Sequence, residues 1–213
     1  MSLTVADTGT THRIVPAGVH LARCFRLVDL GTQPEVFEGE QKMMKKLRVE
    51  FELHGEDDAG QPLTRDDGRP LTIGLELTAS LGKKAKLRAH LESWRGRPFT
   101  PEELLGFDMA RLLGAYGLCN VTHRTSGAGK AYAAVSSLSP LPAAMRATKP
   151  APILPNCILD LDDFDSAVFE ALPEWLQQQI DQSVERRRVL CMPDPEPAPA
   201  ADPDGTPADM DTF

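Results

Sequence analysis

The chain has 213 residues, 41% of them hydrophobic, and a net charge of -8. That length allows one domain of ordinary size with appendages, and no apolar run approaches the ~20 residues that a bilayer-spanning helix needs. The charge is uneven: residues 1–150 hold 20 Lys and Arg against 17 Asp and Glu, while residues 151–213 hold 3 against 14. A mildly basic body with an acidic end is the asymmetry expected when one region meets nucleic acid and another has a separate role.

Residues 1–13, MSLTVADTGTTHR, lack the basic start and apolar stretch of a signal peptide and read as a flexible leader. Cys24, Cys119, Cys157 and Cys191 are scattered without a CxxC or Cys/His ligand spacing, which points to a reduced cytoplasmic protein with no metal and no cofactor.

A first strand is expected over Val19–Leu30, after the Pro16-Ala17-Gly18 turn signal. Thr32 to Met44 reads as a loop carrying Phe37 and Lys42. In KKLRVEFELHGE, Leu47, Val49, Phe51 and Leu53 alternate with Lys46, Arg48, Glu50, Glu52 and His54, the period of two of a half-buried strand. A Gly-, Asp- and Pro-rich excursion follows. Leu71, Ile73, Leu75 and Leu77 then give a third strand.

Leu87, Leu91 and Trp94 share one face of a helix that Gly96 and Pro98 close. Thr100, Pro101 and Glu103 predict a capping box and a second helix running to about Leu113. Tyr116–Thr122 and Ala131–Leu138 are the last two strands, flanking the polar loop His123–Lys130. Three strands, a helical insert and two more strands is the order of a mainly β, five-stranded oligonucleotide/oligosaccharide-binding (OB-fold) barrel. Other small barrels share that order.

After the body, Pro140, Pro142, Pro150, Pro152 and Pro155 mark an extended segment, with a short helix over Phe164–Leu172 and another in PEWLQQQIDQSVERRR that docks on the barrel through Trp175 and Ile180. Residues 193–213 hold six acids and no base and should be disordered. The organisation is a leader (1–13), the OB-fold domain (14–139), a proline-rich extension with C-terminal helices (140–192) and the acidic tail (193–213).

Single-strand binders pair cations that meet phosphates with rings that stack on bases. The basic residues cluster as Lys42, Lys45, Lys46 and Arg48, as Lys83, Lys84, Lys86 and Arg88, and as Arg95 and Arg97, with Lys130 in the last loop. Phe37, Trp94, Tyr116 and Tyr132 are the candidate stacking rings, although Trp94 suits the core better and each charge run also suits a solvated face. Ser126–Lys130 lacks the spacing of a phosphate loop, and no catalytic set is announced, so the reading is non-enzymatic.

The segments PAGVHLARCFRLVDLGTQ, LESWRGRPFTPEELLGFDMARLLG and LPEW resemble, over roughly residues 14–190, bacteriophage and prophage proteins related to phage single-stranded DNA-binding proteins. The resemblance implies single-stranded DNA as ligand and phage replication or recombination as context. Separately, Asp209, Asp211 and the terminal Phe213 resemble the C-terminus of bacterial and phage single-stranded DNA-binding proteins, which recruits replication and recombination proteins; here the acids are spaced and Thr212 stands where the bacterial form has proline. The tail's acids also suit masking of a cationic DNA groove. A homodimer is compatible with the sequence. The competing readings are a phage structural or protein-interaction module and, third, a metal-dependent nuclease built on the Asp clusters.

Overall fold

The computed structural model describes residues 13–37 and 40–190. It is mainly β. Five antiparallel strands run in the order β3-β2-β1-β4-β5: β1 (Gly18–Phe37), β2 (Glu40–His54), β3 (Thr72–Thr78), β4 (Tyr116–Thr125) and β5 (Ala131–Pro140). A sixth, β6 (Cys157–Leu159), pairs parallel with β1 at Arg26–Val28. The first and last strands of that order, β3 and β5, come alongside one another, but no ladder joins them among the described residues, so the sheet stays open and no barrel closes.

The apolar alternation read from the sequence holds, but β2 is not the half-buried strand expected: Glu50, Glu52 and His54 on its other face are buried as well, with the Ile153–Leu154 backbone lying on Glu52. Val49, Phe51 and Leu53 of β2 and Ile73 and Leu77 of β3 enter one core with Cys24, Leu27, Cys119, Val121, Val135 and Leu138. Helix α1 (Lys86–Arg95) adds Leu87, Leu91 and Trp94 to that core and ends at Gly96, whose φ of 68° is the left-handed cap that glycine takes without a Cβ penalty. Loop residue Leu63 is buried there too.

Three further expectations are corrected. The expected loop is strand on both sides: β1 runs on to Phe37 and β2 begins at Glu40, with Glu35 opposite Lys42 and Gln33 opposite Met44. A largely solvated arm buries few side chains, so its strands carry no apolar alternation to read. The second helix, α2 (Pro101–Leu105), has its capping box but stops at an extended Gly106, and Asp108 caps a separate 3-10 turn over Met109–Leu112. The C-terminal helix is split as well, into α5 (Glu174–Asp181) and α6 (Val184–Val189), because Ser183 caps a new start.

The extension after β5 carries α3 (Ala143–Arg146) and α4 (Ser166–Glu170) besides β6, α5 and α6. It packs across the outer face of β1, where Val28 and Leu30 meet Leu159, Leu172, Leu176 and Ile180 in a second core. Ile180 docks as expected; Leu176 does so in place of Trp175, which stays 49% exposed. A β-bulge at Gly31 (φ 69°) opens room for α6: a Cβ there would meet Ser183 at 2.6 Å. Glu185 fastens the same spot, accepting from the Thr32 N–H and hydroxyl, each at 2.7 Å.

No helix among the described residues is long and apolar enough to cross a membrane. Cys24, Cys119 and Cys157 are free, and burial pushes the Cys24 and Cys119 thiols up to about 12, which leaves them unreactive as nucleophiles.

Candidate nucleic-acid interface

Where β3 and β5 fail to pair, a groove of about 880 Å³ runs between them. Its walls are Thr72 to Leu77 of β3 and Ala131 to Ser136 of β5, with Lys86 and His90 contributed by α1, Arg124 by β4, Arg48 by β2, and Arg13 to Val15 by the segment ahead of β1. Four permanent cations, Arg13, Arg48, Lys86 and Arg124, line it against one carboxylate, Glu76. Tyr132 stands on the β5 wall, 45% exposed.

These cations differ in how far they are already compensated. Arg13 bonds Asp57 at 2.8 Å and the Pro62 carbonyl at 2.7 Å. Arg48 donates from Nε to Glu50 at 2.7 Å and lies over Gly74, where any Cβ would collide with its guanidinium. Lys86 and Arg124 are exposed and make no ion pair among the described residues. His90 adds little charge at neutral pH: burial, and then the Lys86 ammonium, hold its pKa below the usual histidine value.

The first turn of α1 contains no acid. Lys83 and Lys84 precede it, both exposed and without an ion pair among the described residues. The positive end of the helix dipole and three lysines therefore act together.

The other predicted clusters are paired with acids. Lys42 meets Glu40 at 3.3 Å, Lys46 meets Glu35 at 2.5 Å, and Lys45 meets Asp29 at 3.1 Å. The hydrogen bond to Asp29 raises the Lys45 pKa despite partial burial. Arg88 bonds Glu92 at 2.9 Å one turn along α1. Arg95 and Arg97 share Glu103, Arg97 at 2.9 Å. Bonds from Arg97 and the Thr100 N–H lead in holding the Glu103 carboxyl down to about 2, so it stays ionised at any ordinary pH and offsets one of the two arginine charges. Arg95 is further stacked 4.3 Å from the Phe99 ring centroid. This third cluster fastens α1 to α2, with Arg97 the more exposed of its two arginines.

The rings sort in the same way. Trp94 takes the core place that its helical spacing favoured and is removed from the candidate stacking rings: it is 5% exposed, sits edge-on to Phe51 with centroids 5.3 Å apart, and donates Nε1–H to the Tyr116 carbonyl at 3.2 Å. Its spacing from Leu87 and Leu91 put it on the dry face of α1. Tyr116 is half-buried and donates its hydroxyl to the Pro150 carbonyl at 2.6 Å, so it is tied to the extension. Lys130 is exposed in the β4–β5 turn. Phe37 ends β1, and its side chain lies outside the described residues, as do Asp209, Asp211 and Phe213.

Of the sequence candidates, then, Arg48, Lys86 and Tyr132 line one groove. Sequence reading missed Arg13 ahead of β1, His90 on α1 and Arg124 on β4, which share a groove with them only because β5 comes back alongside β3. Arg124 stands opposite Tyr132 in the β4–β5 ladder, a pairing that the short hairpin loop could have announced. Among the described residues no group of three His, Cys, Asp or Glu could hold a metal ion.

No family model matches the chain, and no curated protein matches it. The functional reading therefore rests on the groove.

Proposed function

We propose that this chain binds single-stranded nucleic acid, without sequence preference and without catalysis, in the groove between β3 and β5. The single observation that carries the reading is the combination, in one open groove, of the uncompensated Lys86 and Arg124 with the exposed ring of Tyr132. Cations that track a phosphate backbone and rings that stack on any base are the two requirements of sequence-tolerant single-strand binding. An open variant of the OB-fold barrel fits the strand order β3-β2-β1-β4-β5 and the helical insert between β3 and β4. The sequence resemblance supports phage DNA replication or recombination as the setting.

In this reading the acidic tail has the charge to compete for the groove, and its terminal Phe213 serves partner proteins of that setting. Deleting residues 193–213 is expected to tighten binding to short oligonucleotides at low salt several-fold, an effect that vanishes at high salt. Equal affinities with and without the tail would remove the masking role.

The direct test is fluorescence anisotropy of a labelled poly-dT oligonucleotide, competed with unlabelled single- and double-stranded DNA. Tight binding displaced preferentially by the single strand is expected. One observation favours a second reading: the facing edges of β3 and β5 carry no ladder partner among the described residues, and an extended peptide can add to such an edge. Absence of poly-dT binding at low salt, with the tail deleted, would give that protein-interaction reading precedence.

A further inference from the structure

Helix α5 turns Leu176 and Ile180 into the second core and leaves Trp175 49% exposed. The indole is not left loose. The Arg48 guanidinium lies 4.8 Å from its ring centroid, close enough for a cation–π contact. Arg48 is itself aimed by its bond to Glu50 at 2.7 Å and bedded on Gly74, the one residue type that leaves it room. One turn further along α5, Gln179 donates to Glu76 at 3.0 Å. Arg48 and Glu76 both line the groove, so two side chains of the groove wall hold α5, and with it the ring, at the groove's rim.

We propose that Trp175 stacks an unpaired nucleobase at this rim, so that the C-terminal extension completes the binding surface begun by the sheet. The inference rests on the groove reading and deepens it. Tyr132 lies on the β5 wall and Trp175 beside Arg48 beyond β3, with Lys86 and Arg124 contributed from other elements of the same groove. Rings and cations are thus both supplied at the groove and its rim, the two kinds of group that a strand of bases and phosphates requires. An indole held by a guanidinium at a cationic groove suits a flat, aromatic, anionic-backboned ligand better than an apolar peptide. Stacking on an indole needs only a π-face, so it is indifferent to base identity.

The chain has two tryptophans, and Trp94 is buried and hydrogen-bonded. A change of tryptophan emission on binding therefore reports chiefly on Trp175. The full chain is titrated with poly-dT while emission is followed, and anisotropy of a labelled oligonucleotide reports binding in parallel. Emission is expected to fall as the complex forms, and the fall is expected to disappear in W175F, which retains Trp94. W175A is expected to bind about tenfold more weakly with an unchanged salt slope, since no cation is removed, and W175F to lose less. Near-ultraviolet circular dichroism checks that both variants keep their packing. Binding by anisotropy with no change in Trp175 emission, and with W175A as tight as the unsubstituted chain, would overturn the inference and leave the groove reading standing. No binding by anisotropy would sink both.

Discussion

Replacing Glu52 by alanine is expected to lower folding stability by about 3–5 kcal/mol, read as a fall in the denaturant midpoint. Glu52 is fully buried on the outer side of the sheet. Its Oε1 accepts from Arg23 at 2.9 Å, from the Ile153 N–H at 3.1 Å and from His54 at 3.2 Å, while Oε2 accepts from the Leu154 N–H at 2.6 Å. Arg23 is 3% exposed and also bonds the Leu154 carbonyl at 3.0 Å and the Asn156 side chain. Removing the carboxylate strands a buried guanidinium and two backbone donors, and that uncompensated charge dominates the cost. The loss should be concentrated in residues 149–190, whose amides would exchange faster. A fall of under ~1 kcal/mol would mean that Glu52 is not what pins the extension to β2.

The same carboxylate sets a pH dependence. Burial pushes the Glu52 pKa up, but the Leu154 N–H, the Arg23 guanidinium and the Ile153 N–H outweigh it and hold the group below its ordinary 4.5. A depressed carboxylate contributes stability that is fully present above the unfolded value and drains away as pH falls through the folded one. The extension is therefore expected to stay docked at neutral pH and to loosen only below about pH 4.

The second large effect concerns binding. The double reversal Lys86→Glu with Arg124→Glu is expected to weaken poly-dT binding on the order of a hundredfold at low salt. Both side chains are exposed and unpaired among the described residues, so the fold has little stake in them, and an acid in the first turn of α1 is if anything favourable to the helix. Each lost phosphate contact on a single strand flattens the slope of log K against log salt by roughly 0.7, so the pair should flatten it by about 1.4. Reversing Arg95 and Arg97 instead should flatten that slope less, by no more than about 0.7, because Glu103 already offsets one of the two charges.

The contrast between those two pairs marks where the sequence stops being legible. Runs of lysine and arginine are visible in the chain, but their counter-charges are not. Glu35 reaches Lys46 across a hairpin whose solvated arm hides its strands, and Asp29 reaches Lys45 across the same ladder. Periodicity, by contrast, carried β2, β3 and the dry face of α1, because the side that faces the apolar core imposes a two- or 3.6-residue repeat, although the burial of Glu50 and Glu52 on the other face of β2 was not legible. The capping box at Thr100 was legible for the same local reason, whereas the stop at Gly106 depended on Asp108 capping a competing turn. Strand β6 is three residues long, and its pairing partner lies on β1, far away in sequence. In α5 the helical phase alone could not tell whether Leu176 or Trp175 would face inward. The second core decided it, and that choice put an indole at the rim of the groove.

The most direct test of the central claim is amide hydrogen exchange of the full chain with and without saturating poly-dT. Binding in the groove predicts slowed exchange confined to its walls, Thr72–Leu77 of β3, Ala131–Ser136 of β5 and the start of α1 at Lys86. No protection, or protection confined to the Arg95–Arg97 face, would contradict it.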